Sequence, residues 1–225
     1  MDEYMTQLAD SLLFKEIDSK GIQKVLNCLA VRKRKLKKDE FVFHVGDDVC
    51  SIYFLLSGRL HIIDEDFWGN RSIIETMTGD TLFGEAYVLS HAECHLVSVL
   101  ATEDSVILEM NPTKFLDACP KGCDCHTTVL RNIAQILSTK IVRLTCKVEH
   151  LVQRTTQSKL RSYFSECAIQ ARNNSFDIPY SRQQLADYLC VERSALSHEL
   201  SKMRDAGVIQ YHKNHFELLK DAYLD

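Results

Sequence analysis

The feature that most constrains the fold is a long stretch, residues 126–153, that contains neither glycine nor proline. Apolar residues recur along it at alternating spacings of four and three, a period of 3.5 residues. The row consists of Leu130, Ala134, Leu137, Ile141, Leu144, Val148 and Leu151. This period predicts one continuous helix, and its apolar row is typical of a helix that pairs in parallel with a second copy of itself.

A second apolar row lies beside the first in the N-terminal half of this helix and consists of Val129, Ile133 and Ile136. An amphipathic helix packed only on its own domain would explain a single row. With two rows, the second can face the chain's own domain while the first, here called the heptad row, faces a twin helix. We therefore predict a homodimer, with the single-domain packing as the alternative.

The long helix divides the chain into three predicted parts: 1–125, 126–153 and 154–225. Short segments of β-branched and aromatic residues, separated by glycine and aspartate, occupy most of the first part up to about residue 118. Short strands at spacings of roughly 8–12 residues are typical of an antiparallel barrel or sandwich. Two short helical segments precede these strands. The first part is therefore predicted to be a small β domain that could bind an effector.

The third part contains a helix-turn-helix pattern. Ser181 and Gln184 form a capping box, which marks the start of a helix. A second helix is predicted over residues 193–206, after a three-residue turn, and Gly207 has the chemistry of a helix C-cap. The residues expected to be buried are Leu185, Ala186, Leu189, Leu196, Leu200 and Met203. Residues 208–219 follow as a β-hairpin, the wing.

A helix, a tight turn and a second helix is the geometry that places one helix in the major groove of DNA. The side chains expected to reach base edges are those that point outward near the start of the second helix: Arg193, Ser194, Ser197 and His198. Candidates for phosphate contact are Ser181, Arg182, Lys202 and Lys213. The alternative is a helical hairpin that binds protein and not DNA.

Composition limits the other possibilities. The net charge of −4 argues against a broadly basic nucleic-acid coat. No apolar run approaches the roughly 20 residues needed to span a bilayer. The acidic N-terminus does not have the pattern of a secretory signal. We therefore predict a cytoplasmic protein with no membrane partner, in which most of the nine cysteines are small core residues and not disulfide partners.

Three thiols lie close together between the β domain and the long helix: Cys119, Cys123 and Cys125. They could bind a metal or an iron–sulfur cluster with His126 or Cys28 as a fourth ligand, or act as a redox pair. A polar linker with incidental thiols is the alternative, and no cofactor is the default expectation. Separately, His91 or His95 could ligate haem iron, although lone histidines are more often structural.

Several segments resemble the CRP/FNR family of bacterial transcription regulators, named for the cyclic-AMP receptor protein and the fumarate-nitrate regulator. Residues 46–47 with 53–58, and residues 79–85, resemble the two β-roll signatures of that family, and residues 181–189 resemble the opening of its helix-turn-helix. The resemblance implies an α+β chain: an antiparallel β-roll, a long dimerisation helix and a C-terminal winged helix-turn-helix. It also implies a homodimer on a pseudo-palindromic operator of double-stranded DNA, with RNA polymerase as a partner.

The chain departs from the cyclic-AMP-binding members of this family. Those members carry an Arg-Ser pair where this chain has His95 and Leu96. A charge-assisted bond to the cyclic phosphate is not supplied by leucine, so the effector is predicted not to be cyclic AMP. The predicted effector pocket consists of Gly84, Glu85, His95 and Leu96.

The DNA-reading pattern departs too. Ser194 and His198 replace the acidic and basic readers of the common family pattern, so a different target sequence is expected. Cys190 stands in the turn where a glycine is usual, which implies either a milder backbone conformation or strain.

The prediction for function is therefore a DNA-binding transcription regulator under allosteric control. A sensor subunit that controls a partner protein is the first alternative, and a metal or haem redox sensor within the same family is the second. An enzyme is not expected, because the sequence has no nucleophile elbow, phosphate-cradling loop or zinc-protease motif.

Overall fold

A computed structural model describes residues 4–65, 68, 71–111, 114 and 124–219. The chain divides into two compact units, residues 1–137 and 138–225, and the division falls inside the long helix.

The first unit begins with short helices. Helix α1 spans Met5–Asp10, a 3₁₀ turn spans Leu12–Phe14, and α2 spans Ser19–Cys28. The carboxylate of Asp18 caps α2 by accepting a hydrogen bond of 2.8 Å from the Gly21 amide. Replacing the capping Asp18 by alanine would lower the free energy of unfolding by about 1 kcal/mol. Most apolar side chains of these helices, although not Leu12, are buried against one face of the β-roll, in a cluster that also contains residues of the long helix.

The β-roll consists of two antiparallel four-stranded sheets, as the short and regularly spaced strand segments predicted. Its strands are β1 (Arg32–Leu36), β2 (Phe41–Phe43), β3 (Ile52–Ser57), β4 (Arg59–Glu65), β5 (Arg71–Thr78), β6 (Thr81–Phe83), β7 (Ser98–Ala101) and β8 (Ser105–Met110). One sheet has the order β1-β8-β3-β6 and the other β2-β7-β4-β5. A short helix, α3 (Glu85–Leu89), follows β6. The side chains between the sheets form a second apolar cluster.

Helix α4 spans Asp124–Leu151, close to the 126–153 predicted from its period. In the first unit its second apolar row faces the domain, as anticipated: Val129 and Ile133 are buried in the core. Between them Asn132 is also buried, and its side-chain amide donates hydrogen bonds of 3.0 and 2.9 Å to the carbonyls of Leu13 and Lys15. Both amide hydrogens are therefore used to tie α4 to the N-terminal turn.

The heptad row of α4 has a different environment. Ile141, Leu144 and Val148 are 62%, 62% and 57% exposed in the single chain. Ala134 is exposed as well, whereas Leu130, Leu137 and Leu151 are half-buried. Exposed large apolar side chains at regular helical spacing are uncommon on a monomer and mark an interaction face.

The second unit contains a three-helix domain with a small sheet. Its elements are α5 (Thr156–Ala171), β9 (Ser175–Asp177), α6 (Arg182–Tyr188), α7 (Arg193–Asp205), β10 (Ile209–His212) and β11 (His215–Leu218). The sheet has the order β10-β11-β9. The sequence predicted the hairpin, and the segment before Pro179 forms β9. That the segment pairs with β11 as a third strand was not predicted, because strand pairing depends on residues distant in the chain.

Candidate nucleic-acid interface and effector pocket

The helix-turn-helix is built from α6 and α7. The predicted capping box is present: the Gln184 amide donates to Ser181 Oγ at 3.3 Å, and the Ser181 amide donates to Gln184 Oε1 at 2.9 Å. All six predicted core residues of the two helices are at most 2% exposed. The Lys159 ammonium of α5 donates to the Leu189 carbonyl at 2.9 Å and so holds the C-terminal end of α6.

The turn between the two helices is strained at Cys190. Its φ is +51°, in the left-handed region that costs a residue with a Cβ about 1–2 kcal/mol. Of the two possibilities that the sequence left open, strain is therefore the one found. Glu192 precedes α7 as its N-cap, but its side chain makes no capping hydrogen bond, in agreement with the weak capping tendency of glutamate.

Replacing Cys190 by glycine is expected to stabilise the DNA-binding domain by about 0.5–1 kcal/mol. Removing the Cβ relieves the left-handed strain, and the greater flexibility of glycine in the unfolded chain cancels part of that gain. For a domain of this size the melting temperature should rise by about 2–6 °C, measured by circular dichroism. Cys190→Ser keeps the Cβ and is the control. An equal gain from serine would show that the thiol, and not the backbone, is the source of the instability.

The exposed face of α7 carries the predicted base readers. Arg193, Ser194, Ser197 and His198 are all exposed. By contrast, Leu196, Leu200 and Met203 of the same helix are at most 2% exposed. Lys202, in the last turn of α7, and Lys213, in the turn of the wing, are also exposed. The structure thus brings one arginine, two hydroxyls and an imidazole together on a single accessible surface.

Arg182, a predicted phosphate contact, is positioned differently. Its guanidinium is half-buried and donates a hydrogen bond of 2.8 Å to the Lys213 carbonyl. It also lies over the rings of Tyr211 and Phe216, at 5.0 and 4.9 Å from their centroids. Burial lowers the pKa of this guanidinium from its ordinary value. This geometry ties the start of α6 to the turn of the wing, a role that the sequence did not indicate.

The predicted effector residues differ widely in exposure. Gly84 begins α3 with a φ of +77°, and a Cβ there would lie 2.9 Å from the Tyr53 ring, so glycine is required. Glu85 is buried, whereas Leu96 is 69% exposed. His95 is fully buried. The two adjacent positions that hold an Arg-Ser pair in cyclic-AMP-binding members therefore have opposite environments in this chain.

His95 is enclosed by aromatic rings. It stacks on Phe43 with centroids 3.6 Å apart, and Tyr87 approaches edge-on at 5.0 Å. Among the described residues, neither ring nitrogen has a hydrogen-bond partner. Burial lowers the pKa of His95, and the negative charge of Asp47 opposes this shift. The imidazole is therefore held in its neutral form.

The β-roll is expected to lose stability as the pH falls below about 6.5, the ordinary value for histidine. The pKa of His95 is lower in the folded chain than in the unfolded one, so acid protonates the unfolded state first and favours it. Urea unfolding at pH 7.5 and 5.5 would measure this loss. His95→Leu should flatten the pH dependence, and His44→Gln, a change at an exposed histidine of the same unit, should leave it unchanged. A wild-type pH dependence in the leucine variant would contradict the assignment.

Of the three clustered thiols, Cys119 and Cys123 lie outside the described residues. Cys125 is half-buried at the start of α4 and packs against the core cluster of the first unit. A Cβ on Gly21 would lie 2.8 Å from its sulfur. No group of three or more His, Cys, Asp or Glu side chains within the described part of the chain is arranged to hold a metal ion. Among the same residues, no helix is both long and apolar enough to cross a bilayer.

The described residues combine a two-sheet β-roll, a long helix and a winged helix-turn-helix, which is the architecture of a class of DNA-binding transcription regulators. The cyclic nucleotide-binding domain family matches residues 33–121, and the Crp-like helix-turn-helix domain family matches residues 158–225. The two models follow one another in the order expected and together match more than two thirds of the chain. The chain belongs to the CRP/FNR family of DNA-binding transcription regulators.

Individual relatives are distant. Electron transport regulator A of Shewanella oneidensis is 23% identical over 196 residues, which are 82% of this chain and 74% of that protein. The fold is similar to that of the c-di-GMP responsive global regulator CLP of Xanthomonas campestris, with a TM-score of 0.58, 17% identity and coverage of 91% and 100% of the two chains. The catabolite activator protein of Thermus thermophilus gives a TM-score of 0.55, 19% identity and coverage of 92% and 93%.

Proposed function

We propose that the chain is a homodimeric, sequence-specific regulator that reads a pseudo-palindromic operator in the bacterial cytoplasm and has no catalytic activity. The observation that carries this proposal is the exposed face of α7. The four exposed readers are Arg193, Ser194, Ser197 and His198, and the buried apolar side chains of the same helix anchor it in the core. Arginine is the commonest side chain for bidentate recognition of guanine, so Arg193 is assigned to a guanine in each half-site.

Contacts to the DNA backbone are assigned to Lys202, Lys213 and Ser181. Both lysines are exposed at the ends of the reading surface. The Ser181 hydroxyl accepts a hydrogen bond in the capping box and can still donate its own hydrogen to a phosphate. Such contacts position the protein without specifying sequence. Arg182 is assigned instead to positioning the wing, because its guanidinium is already engaged within the domain.

Pairing of two chains is assigned to the heptad row of α4. The exposed side chains Ile141, Leu144 and Val148 supply an apolar stripe at the spacing of a parallel coiled coil. A dimer of this kind would place two α7 helices on half-sites about one helical turn apart. RNA polymerase is proposed as a partner on family resemblance, since regulators of this class act at promoters.

The effector is proposed to be something other than cyclic AMP. A cyclic phosphate needs a cation, and the position that would supply it is His95, which is buried and held neutral. Neutral imidazole offers one donor and one acceptor, which suits an uncharged group better than a phosphate. The proposed pocket remains the region of Gly84, Glu85, His95 and Leu96, in which Leu96 would mark its outer edge.

A redox or haem sensor is the second candidate function, and the name of the Shewanella relative, a regulator of electron transport, favours it. The described residues fit a resident cofactor poorly. The half-buried Cys125 side chain packs against the core cluster, and the rings around His95 leave no face of its imidazole exposed. An absorption spectrum with iron and zinc analysis on protein purified without oxygen tests this candidate. A visible band with stoichiometric metal would favour it over an organic effector.

Selection of genomic DNA fragments by the purified chain tests the main proposal. The expected result is enrichment of fragments that share an inverted repeat. Cyclic AMP at millimolar concentration should change neither the enrichment nor the melting temperature, because a ligand that binds the folded state raises that temperature. Enrichment of no common sequence would contradict the proposal and would favour the sensor-subunit alternative.

A further inference from the structure

The last turn of α4 contains a buried histidine with both ring nitrogens in hydrogen bonds. His150 is 2% exposed. Its Nδ1 lies 2.8 Å from Ser162 Oγ, and its Nε2 lies 2.7 Å from Glu166 Oε2. Since a carboxylate only accepts hydrogen bonds, Nε2 carries the proton and donates it to Glu166. Ser162 and Glu166 are four residues apart on α5, so two successive turns of α5 hold one imidazole.

The same turn of α4 also contacts the aromatic side chains of the DNA-binding domain. The His150 ring meets Tyr163 edge-to-face, with centroids 5.6 Å apart and an interplanar angle of 89°. One turn earlier, the Lys147 ammonium lies 5.4 Å from the centroid of Tyr188, a residue of α6. The end of α4 is therefore fixed to both α5 and the first helix of the helix-turn-helix.

The carboxylate of this network is itself held in place. Gln170 Nε2 donates a hydrogen bond of 2.6 Å to Glu166 Oε1, which leaves Oε2 directed at His150. Apolar contacts tolerate sliding of one helix along another, whereas hydrogen bonds weaken steeply when their angles change. A buried histidine with both ring nitrogens in hydrogen bonds to one neighbouring helix thus favours one arrangement of the two helices.

We infer that His150, Ser162 and Glu166, here called the junction network, set the angle between α4 and the DNA-binding domain. This inference rests on the proposed function. The exposed stripe at Ile141, Leu144 and Val148 belongs to the same compact unit as α7. The network therefore fixes the direction of the reading helix relative to the surface that pairs the two chains. His150 is a positioning residue and contacts no base.

The spacing between half-sites is the property that such a residue controls, because a dimer reads two half-sites at a separation set by its own geometry. A residue that merely stabilises the domain would affect an isolated half-site and a full operator alike. A residue that sets the angle would change the preferred spacing and leave the isolated half-site unaffected. The two roles can therefore be separated by measuring both kinds of DNA.

The experiment compares the full-length wild type with His150→Leu, His150→Gln and Glu166→Gln on the selected operator, on operators with one base pair added or removed at the centre, and on a single half-site. We expect the leucine variant to lose at least 10-fold of the wild type's discrimination between spacings, while half-site affinity stays within about twofold. Glutamine at 150 keeps an amide that can donate to Glu166 and should restore part of the discrimination. Glu149→Gln, at an exposed position on the same turn, is the matched control and should behave as the wild type.

Near-UV circular dichroism of the aromatic side chains reports whether each variant is folded. If the leucine variant does not fold, the two glutamine variants alone decide the outcome. Unchanged spacing preference in folded variants would overturn the role of the junction network while leaving the proposed function intact. A wild type that selects no operator would overturn the proposed function and this inference with it.

Discussion

Arg193→Ala is expected to lower affinity for the selected operator by about 10- to 100-fold per half-site and to relax the preference at one base pair of each. A bidentate arginine–guanine contact gives about 1–3 kcal/mol of discrimination, and a factor of ten in affinity corresponds to about 1.4 kcal/mol. Arg193 is the first residue of α7, and its exposed side chain makes no contribution to the core of the domain. The loss should therefore come from recognition and not from unfolding.

Fluorescence anisotropy on the operator and on single-base-pair variants would measure this effect. Lys202→Ala is the matched control, because it also removes an exposed cation of α7. A phosphate contact should weaken binding to all sequences about equally and reduce the dependence of log K on log salt by about one per contact. If Arg193→Ala binds with unchanged sequence preference, the assignment of α7 as the reading helix is wrong.

Leu144→Glu is expected to produce a monomer and to reduce operator affinity by more than 100-fold. Leu144 lies near the centre of the exposed stripe, 62% exposed in the single chain. Burying a leucine contributes about 1.5–3 kcal/mol. In a symmetric pair the substitution removes that contribution twice and places two carboxylates in one interface. A monomer would bind a single half-site and lose the gain from linking two.

The control for this experiment is Val142→Glu. Val142 is 61% exposed on the same helix but lies outside the heptad row, so the added charge should leave the dimer intact. Sedimentation equilibrium of both variants would give the oligomeric state directly. A dimeric Leu144→Glu chain would show that the heptad row does not form the interface.

The helices and strands could be predicted from the local sequence. Helix α4 follows from its period and from the absence of glycine and proline, and α6 from the capping box at Ser181, because each signal operates between residues a few positions apart. The buried faces of α6 and α7 were predicted for the same reason. Among the candidate site residues, the exposed positions on α7 follow from that periodicity alone.

The tertiary structure decided what depends on residues far apart in the chain. Arg182 turns inward because Lys213, Tyr211 and Phe216 come to lie beside it, and His95 is buried because Phe43 packs against its face. Cys190 adopts its strained φ because the packing of two helices requires that turn. His150 forms hydrogen bonds with Ser162 and Glu166 only when α5 packs against the end of α4. The periodic and capped elements could be predicted from the amino-acid sequence, since their signals are local. Side-chain directions at the site are set by contacts that exist only after those elements have packed.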